Sequence, residues 1–126
     1  MESLDRPADA IAPDGSEVRL LSRGENGSMA HFRLPAGECS TAVRHQTVEE
    51  LWCFVSGTGE MVIGDEVISV EPGTSVRIAP GVRFQFRSSD DDALEAIGVT
   101  MPPWPGDHEA VGAEPFWATS SEGETG

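Results

Sequence analysis

Residues 50–70 read ELWCFVSGTGEMVIGDEVISV, and this stretch contains three short apolar runs separated by glycine-containing breaks. The runs at 50–55, 60–63 and 66–70 are rich in β-branched and aromatic side chains, a composition that favours strands. The two breaks carry glycine beside threonine or aspartate, which favours tight turns. The stretch therefore predicts three consecutive strands joined by short turns.

The same pattern of short runs and turn residues extends in both directions from this stretch. Pro-Gly pairs and other turn residues separate the runs, and no helical periodicity lies between them. Parallel pairing would need long crossover connections, so we predict an all-β, antiparallel sandwich or barrel. The further predicted strands lie at 17–21, 28–34, 74–79, 82–87 and 94–101.

The length of 126 residues allows one domain. The tail begins with a Pro-Pro-Trp-Pro-Gly run that no central strand can continue, and its end at 119–126 is expected to be disordered. Because aromatic side chains are rarely left in water, we expect Trp104, Phe116 and Trp117 to pack on the barrel or on a partner subunit. The predicted segments are an amino-terminal arm at 1–15, the barrel at 16–101 and the tail at 102–126.

The charge balance excludes whole classes of partner. There are 22 acidic and 8 basic residues, for a net charge of -14. Such a charge repels phosphate backbones and anionic lipids, so we expect no nucleic-acid and no membrane partner. The chain has no apolar run of the ~18–20 residues that span a bilayer, and its first residues lack the apolar core of a secretory signal. We therefore expect a soluble, cytoplasmic protein.

The second motif-like feature is the spacing of four residues, two before the opening stretch and two within it. The spacing of Gly37, His45, Glu50 and Gly57 resembles the first motif of the cupin superfamily. That motif holds a His-x-His pair between its first glycine and its glutamate, and Val43 stands at the place of the first histidine. One of the two histidines is therefore replaced.

A second resemblance lies farther along the chain. Gly73 and Gly81 match the glycines of the second cupin motif, whereas Ala79, Phe84 and Ser88 stand where that motif has proline, histidine and asparagine. Together the two motifs imply an antiparallel jelly-roll (cupin) barrel with a degenerate metal motif. The functional site is then expected inside the barrel.

The resemblance also frames the question of a metal. Metal-binding cupins hold their ion with three histidines and one glutamate, and this chain keeps His45 and Glu50, while Val43 and Phe84 offer no lone pair. Since at least three protein donors are usual for a transition metal, we predict no cofactor. The alternative is a divalent transition metal (Zn, Fe, Mn or Ni) bound by His31, His45 and Glu50.

The orientation of His31 decides whether it can join the site. On its strand His31 shares one face with Arg33, and Phe32 and Leu34 share the other. If the first face lines the barrel, His31 approaches His45. If the apolar face fills the core, which simple hydrophobicity favours, His31 faces solvent or a partner subunit.

His45 and Glu50 also make chemical sense without a metal. A histidine beside a carboxylate in an apolar site is an acid–base pair, in which His45 is the general base or acid and Glu50 orients it. The alternative is that both are inert remnants of the motif.

Aromatic side chains are predicted to surround this pair. Alternation places Trp52 and Phe54 on the face of Glu50, and Phe86 on the face of Phe84. These rings either line a pocket for a carbon-rich small molecule or fill the barrel completely. The predicted pocket residues are His31, Val43, Trp52, Phe54, Phe84 and Phe86.

Three functions fit these residues. The first is a cupin that binds a mostly apolar small molecule and acts as a metal-independent isomerase, epimerase, dehydratase or cyclase. The second is a metal-dependent enzyme of the dioxygenase kind, and the third is a non-catalytic binding module. A small barrel gains from burying more apolar surface, so we also expect a homodimer.

Overall fold

The computed structural model describes residues 2–118, so the disorder predicted at 119–126 lies outside the described residues. A single 3₁₀ turn at Asp107–Glu109 interrupts the strands, and the described part of the chain holds no α-helix. The strands are β1 (Ala10–Ile11), β2 (Glu17–Arg23), β3 (Ser28–Leu34), β4 (Val43–His45), β5 (Glu49–Ser56), β6 (Gly59–Ile63), β7 (Glu66–Val70), β8 (Ser75–Ile78), β9 (Phe84–Ser88), β10 (Leu94–Met101) and β11 (Ala110–Gly112).

These strands form two sheets in which neighbouring strands are antiparallel. The six-stranded sheet has the order β1-β2-β3-β10-β5-β8, and the five-stranded sheet has the order β11-β4-β9-β6-β7. Successive strands often change sheet, so that β10 lies between β3 and β5, far from both in sequence. The prediction of an all-β, antiparallel jelly-roll fold is confirmed.

The core lies between the two sheets, on the inward face of each strand. On β5, Glu50, Trp52 and Phe54 are buried while the residues between them are exposed, as a period of two requires. From the other sheet, Phe84 and Phe86 are each 1% exposed and meet the indole of Trp52 edge-on. The aromatic residues that alternation placed on one face therefore meet in the same core.

Three strands, β1, β4 and β11, were not predicted from the sequence. The segment taken as an amino-terminal arm contains β1, which pairs with β2 and extends the six-stranded sheet. The tail contains β11, which pairs with β4 at the edge of the five-stranded sheet. Each of these strands is two or three residues long, too short to show a period in the sequence.

The tail packs on its own barrel, which was one of the two expected arrangements. Gln85 on β9 is fully buried, and its amide donates to the carbonyl of Trp117 (2.7 Å) and accepts from the backbone of Phe116 (3.0 Å). The guanidinium of Arg87 lies 4.2 Å from the ring centre of Trp117.

Among residues 2–118, no helix is long and apolar enough to cross a membrane.

Candidate functional site

A cavity of about 470 Å³ lies between the sheets, and the β1–β2 hairpin forms part of its wall. Most of its wall is apolar, and a few polar groups converge in it, as is usual for small-molecule sites. A more open depression of about 500 Å³ lies elsewhere, beside the ion pair of Glu60 and Arg87, and contains none of the predicted site residues. The site residues that line the cavity are Asp14, Val43, His45, Glu50, Trp52, Phe84 and Trp104.

His45 and Glu50 come together at one end of this cavity. His45 ends β4, where it pairs with Ala110, and Glu50 lies near the start of β5, where it pairs with Thr100 and Ile78. His45 Nδ1 is 2.9 Å from Glu50 Oε1, and the two residues are 6% and 1% exposed. The fold therefore places an imidazole and a carboxylate in direct contact inside an apolar wall.

The contact between His45 and Glu50 has the distance of an ion pair but not the alignment of a hydrogen bond. Within the described residues, His45 Nδ1 and Glu50 Oε1 have no hydrogen-bond partner, although both atoms are buried. Buried polar atoms are nearly always paired, so an unpaired couple beside a cavity indicates a place for a ligand's polar group.

Trp104 from the tail forms part of the wall over His45. The two ring centres are 5.0 Å apart with an interplanar angle of 69°, and Phe84 meets the same imidazole edge-on at 5.1 Å. The backbone of Trp104 is fixed at both ends, because its N–H donates to Ser28 Oγ (2.9 Å) and its carbonyl accepts from Arg23 (3.0 Å). The sequence predicted only that Trp104 would need cover, not that it would contact the imidazole.

Trp52 forms the floor of the cavity. Its indole stacks on Phe32 at 4.8 Å and lies against the backbone of Gly98, where a Cβ would come within 2.7 Å of Phe32 and 3.0 Å of the indole. Glycine at this position therefore makes room for the two stacked rings. Trp52 Nε1 is buried and has no hydrogen-bond partner in the described part of the chain.

Asp14 is a site residue that the sequence analysis missed. It lies in the turn between β1 and β2, is 6% exposed and lines the cavity. Burial raises the pKa of Asp14 above its usual value of 3.8, although the side chain and backbone of Ser16 donate to it. The negative charge of Glu50 raises this pKa further, and His45 opposes the change. In the sequence, Asp14 stands between proline and glycine and carries only a turn signal.

Glu109 has a structural role next to the site. It is 2% exposed, and burial alone would raise its pKa. Hydrogen bonds from the backbone and hydroxyl of Thr47 and the backbone of Val48, together with the charge of His45, hold the pKa of Glu109 below its usual value. Glu109 thus fixes the short segment that connects His45 to Glu50.

Two predicted pocket residues lie behind the cavity wall. Phe54 and Phe86 belong to the hydrophobic core and do not line the cavity. Both pack edge-on against Trp52, at 6.0 Å and 5.2 Å between ring centres. They support the floor and do not face a ligand.

His31 points away from the cavity, which corrects its place among the pocket residues. Ala30 and Phe32 of the same strand line the cavity, so the alternation of β3 turns His31 to the outer face of the sheet. There His31 is only 3% exposed, so it does not face solvent, and its Nε2 lies 2.7 Å from Glu95 Oε1. The apolar face of β3 fills the interior, as simple hydrophobicity favours.

The residues present do not fit the metal of metal-binding cupins. Val43 and Phe84, which replace two ligands, face each other across β4 and β9 and complete an apolar wall. Since His31 is on the outer face, it cannot supply the third donor to His45 and Glu50. Within residues 2–118, no three His, Cys, Asp or Glu side chains are grouped so that they could hold an ion.

The fold is a jelly roll with a cavity between its two sheets. A family model described as "Cupin domain" matches residues 30–100, and the chain belongs to the cupin domain family. A protein described as uncharacterized protein SCO3923, from Streptomyces coelicolor, is 30% identical over 96 residues, covering 76% of this chain and 89% of the relative.

Solved structures give the same fold. KdgF from Halomonas sp. is 15% identical with a TM-score of 0.70, covering 80% of this chain and 90% of that chain. Pac13 from Streptomyces, described as a nucleoside dehydratase, is 11% identical with a TM-score of 0.65, covering 80% of each chain. These likenesses concern the fold alone.

Proposed function

We propose that this protein binds an uncharged, mostly apolar small molecule in the cavity and catalyses a metal-independent proton transfer on it. The observation that carries the proposal is the buried couple of His45 Nδ1 and Glu50 Oε1, which lie 2.9 Å apart beside the cavity with no hydrogen-bond partner in the described residues. Isomerisation, epimerisation, cyclisation and dehydration all use a general acid or base, and this couple supplies one.

His45 is the general base or acid in this proposal, and Glu50 is its positioning residue. Imidazole is the side chain whose protonation changes most readily near neutral pH. Glu50 is held by pairing on both sides of β5, so it fixes the imidazole against the cavity. The edges of Phe84 and Trp104 restrict the ring further.

The composition of the wall favours an uncharged ligand. Trp52 and Phe84 offer aromatic surface, and Val43 adds aliphatic surface. Glu50 is a buried carboxyl group in the same wall, and its negative charge would repel a ligand carboxylate or phosphate.

Pac13 supports a dehydratase or a related reaction as the class to test first. It is described as a nucleoside dehydratase and has the same fold, and dehydration is itself a proton-transfer reaction. We extend only this reaction class to the present chain.

We also propose that the protein forms a homodimer in solution. The outer face of the six-stranded sheet exposes Leu51 and Val55, which a partner subunit would cover. Of the tail aromatics, Trp117 lies against Arg87 of the chain's own β9, whereas Phe116 stays 46% exposed and is available to a partner subunit.

The proposal is tested with 4-hydroxy-4-phenylbutan-2-one, an uncharged probe with an aromatic ring, a ketone and a β-hydroxyl group. In D₂O, NMR measures the deuterium that enters the CH₂ group between the ketone and the hydroxyl-bearing carbon. Absorbance follows the conjugated product formed by loss of water. We expect the wild type, treated with chelator, to catalyse both, and His45→Gln to lower the exchange rate by about a hundredfold or more.

The matched control is His108→Gln, because His108 is exposed and lies outside the cavity lining. A second pair of variants locates the ligand: Ala30→Phe fills the cavity, and Val67→Phe adds the same side chain on an exposed position. If the probe binds but the wild type exchanges deuterium no faster than buffer alone, the protein is a binding module, and if His45→Gln exchanges as fast as an active wild type, His45 is not the catalytic group. If exchange disappears with chelator and returns with added metal, the metal-dependent alternative is correct.

A further inference from the structure

We propose that Asp14 is the proton donor of this site, acting on the oxygen that leaves the substrate while His45 removes a proton from carbon. This inference rests on the proposed function and assigns a second catalytic residue to it. Asp14 lies in the β1–β2 hairpin, outside both sequence motifs that resemble those of the cupins.

The first support is the position of Asp14. The backbone N–H of Thr41, two residues before β4, donates to the carbonyl of Asp14 at 2.7 Å. This hydrogen bond fixes the turn to the segment that leads into β4. The side chain is buried in the cavity wall together with His45 and Glu50. A carboxyl group in an apolar wall is stabilised by hydrogen bonds, and a ligand hydroxyl would add one to the two that Ser16 supplies.

The second support is the way Asp14 is held. Ser16 donates to it twice, from the backbone N–H (2.9 Å) and from Oγ (2.6 Å), and both bonds go to Oδ1. No residue of the described chain donates to Oδ2. The carboxyl group is therefore oriented through one oxygen, and the other is left to carry a proton toward a ligand.

The third support is the charge around Asp14. Two titratable groups of other strands act on it, Glu50 of β5 and His45 of β4. Burial is the largest influence and raises the pKa of Asp14, and Glu50 acts in the same direction. Burial favours the protonated form of Asp14, whereas Glu50 orients the base, so we assign different roles to the two buried carboxyl groups. Other active sites likewise use environments that drive the pKa values of two neighbouring carboxyl groups apart.

The proposed step balances. The imidazole of His45 takes the proton next to the ketone, and the electrons of that C–H bond form the new carbon–carbon double bond. The C–O bond breaks, its electron pair stays on the oxygen, and that oxygen takes the proton of Asp14 and leaves as water. Proton exchange with solvent then returns His45 and Asp14 to their starting states, so that the net reaction is the loss of one water molecule.

The test compares Asp14→Asn with Asp91→Asn, because Asp91 is an exposed aspartate in the loop before β10. With the β-hydroxy ketone probe, we expect Asp14→Asn to bind the probe and to exchange deuterium into it within about threefold of the wild-type rate. We expect the same variant to lose water elimination by about a hundredfold or more, the size of one acid–base contribution. Asp91→Asn should match the wild type in both reactions.

A second measurement needs no substrate. In protein labelled with ¹³C at the aspartate carboxyl carbons, the signal missing from Asp14→Asn reports the titration of Asp14. We expect its midpoint to lie above that of Asp91, and to rise further in Ser16→Ala, which removes the hydroxyl donor. Ser16→Ala also keeps the test valid if Asp14→Asn fails to fold.

The outcomes separate this inference from the proposed function. If Asp14→Asn eliminates water at the wild-type rate, or if the Asp14 carboxyl titrates with the exposed aspartates, the assignment of Asp14 is wrong while His45 keeps its role. If His45→Gln retains deuterium exchange, the proposed function fails, and a raised Asp14 midpoint then still identifies a buried acid in the cavity.

Discussion

The indole of Trp104 meets the imidazole of His45 edge-on at 5.0 Å, and this contact joins the carboxy-terminal tail to the candidate site. The tail residue is fixed by Ser28 and Arg23, which belong to the six-stranded sheet, whereas His45 belongs to the other sheet. Trp104 therefore bridges the two sheets at the point where the chemistry is expected.

Trp104→Ala should weaken binding of the β-hydroxy ketone probe by about fivefold, because an aromatic contact of this kind contributes about 1 kcal/mol. Isothermal titration calorimetry measures the change. The matched control is Trp117→Ala, which removes an indole from the outer face of β9 and should leave the Kd unchanged. Equal losses in both variants would show that Trp104 acts only through folding.

Gly98→Ala should destabilise the protein by about 1–3 kcal/mol, the usual cost of overpacking a core. The new methyl group would come within 2.7 Å of Phe32 and 3.0 Å of Trp52, so the stacked rings must move. Urea unfolding followed by tryptophan fluorescence measures the effect. Gly112→Ala is the control, since nothing lies within 4 Å of its added Cβ; a similar loss there would contradict the packing argument.

Glu109 should stabilise the protein in a pH-dependent way. Its folded-state pKa lies below its usual value of 4.5, so its contribution is present above about pH 4.5 and is lost as the pH falls through the folded-state value. The free energy of unfolding of the wild type should therefore exceed that of Glu109→Gln at neutral pH, and the difference should shrink in acid. Glu114→Gln, at an exposed position in the same tail, should show no such difference.

Asp14 should have the opposite effect. Its folded-state pKa lies above its usual value of 3.8, so its contribution is fully present below about pH 3.8 and is lost as the pH rises through the folded-state value. The stability of Asp14→Asn relative to the wild type should therefore increase with pH over that range. A difference that stays constant with pH would show that the carboxyl group ionises in the fold as easily as in the unfolded chain.

A homodimer should be detectable by multi-angle light scattering at ~0.15 M salt, where the repulsion between chains of net charge -14 is screened. Leu51→Glu and Val55→Glu should then shift the mass toward that of one chain, because they add charge to the exposed face of β5. A mass of 13.4 kDa for the wild type at micromolar concentration would contradict the dimer.

The sequence predicted the fold well where its signals were local and repeated. The alternation from Glu50 to Phe54 and the glycine-containing turns led to the correct strands and the correct inward face of β5. The short strands β1 and β11 have no such period, because their place is set by pairing with β2 and β4. The local pattern therefore identified the longer strands but not the three shortest ones, β1, β4 and β11.

The candidate site was predicted in part for the same reason. The spacing of His45 and Glu50 led to a pair that the structure brings into contact, and Val43, Trp52 and Phe84 line the cavity beside it. Asp14 is recognisable only in the folded chain, because burial next to distant residues gives it its character.

The hairpin that carries Asp14 and the tail that carries Trp104 come from opposite ends of the chain, and both complete a cavity whose floor belongs to the central strands. Trp52 and Gly98 lie on central strands, whereas the side chains of Asp14 and Trp104 reach the cavity from the two end segments. Substitutions confined to Asp14 and Trp104 would therefore change the cavity wall while the packing of Trp52 on Gly98 stays the same.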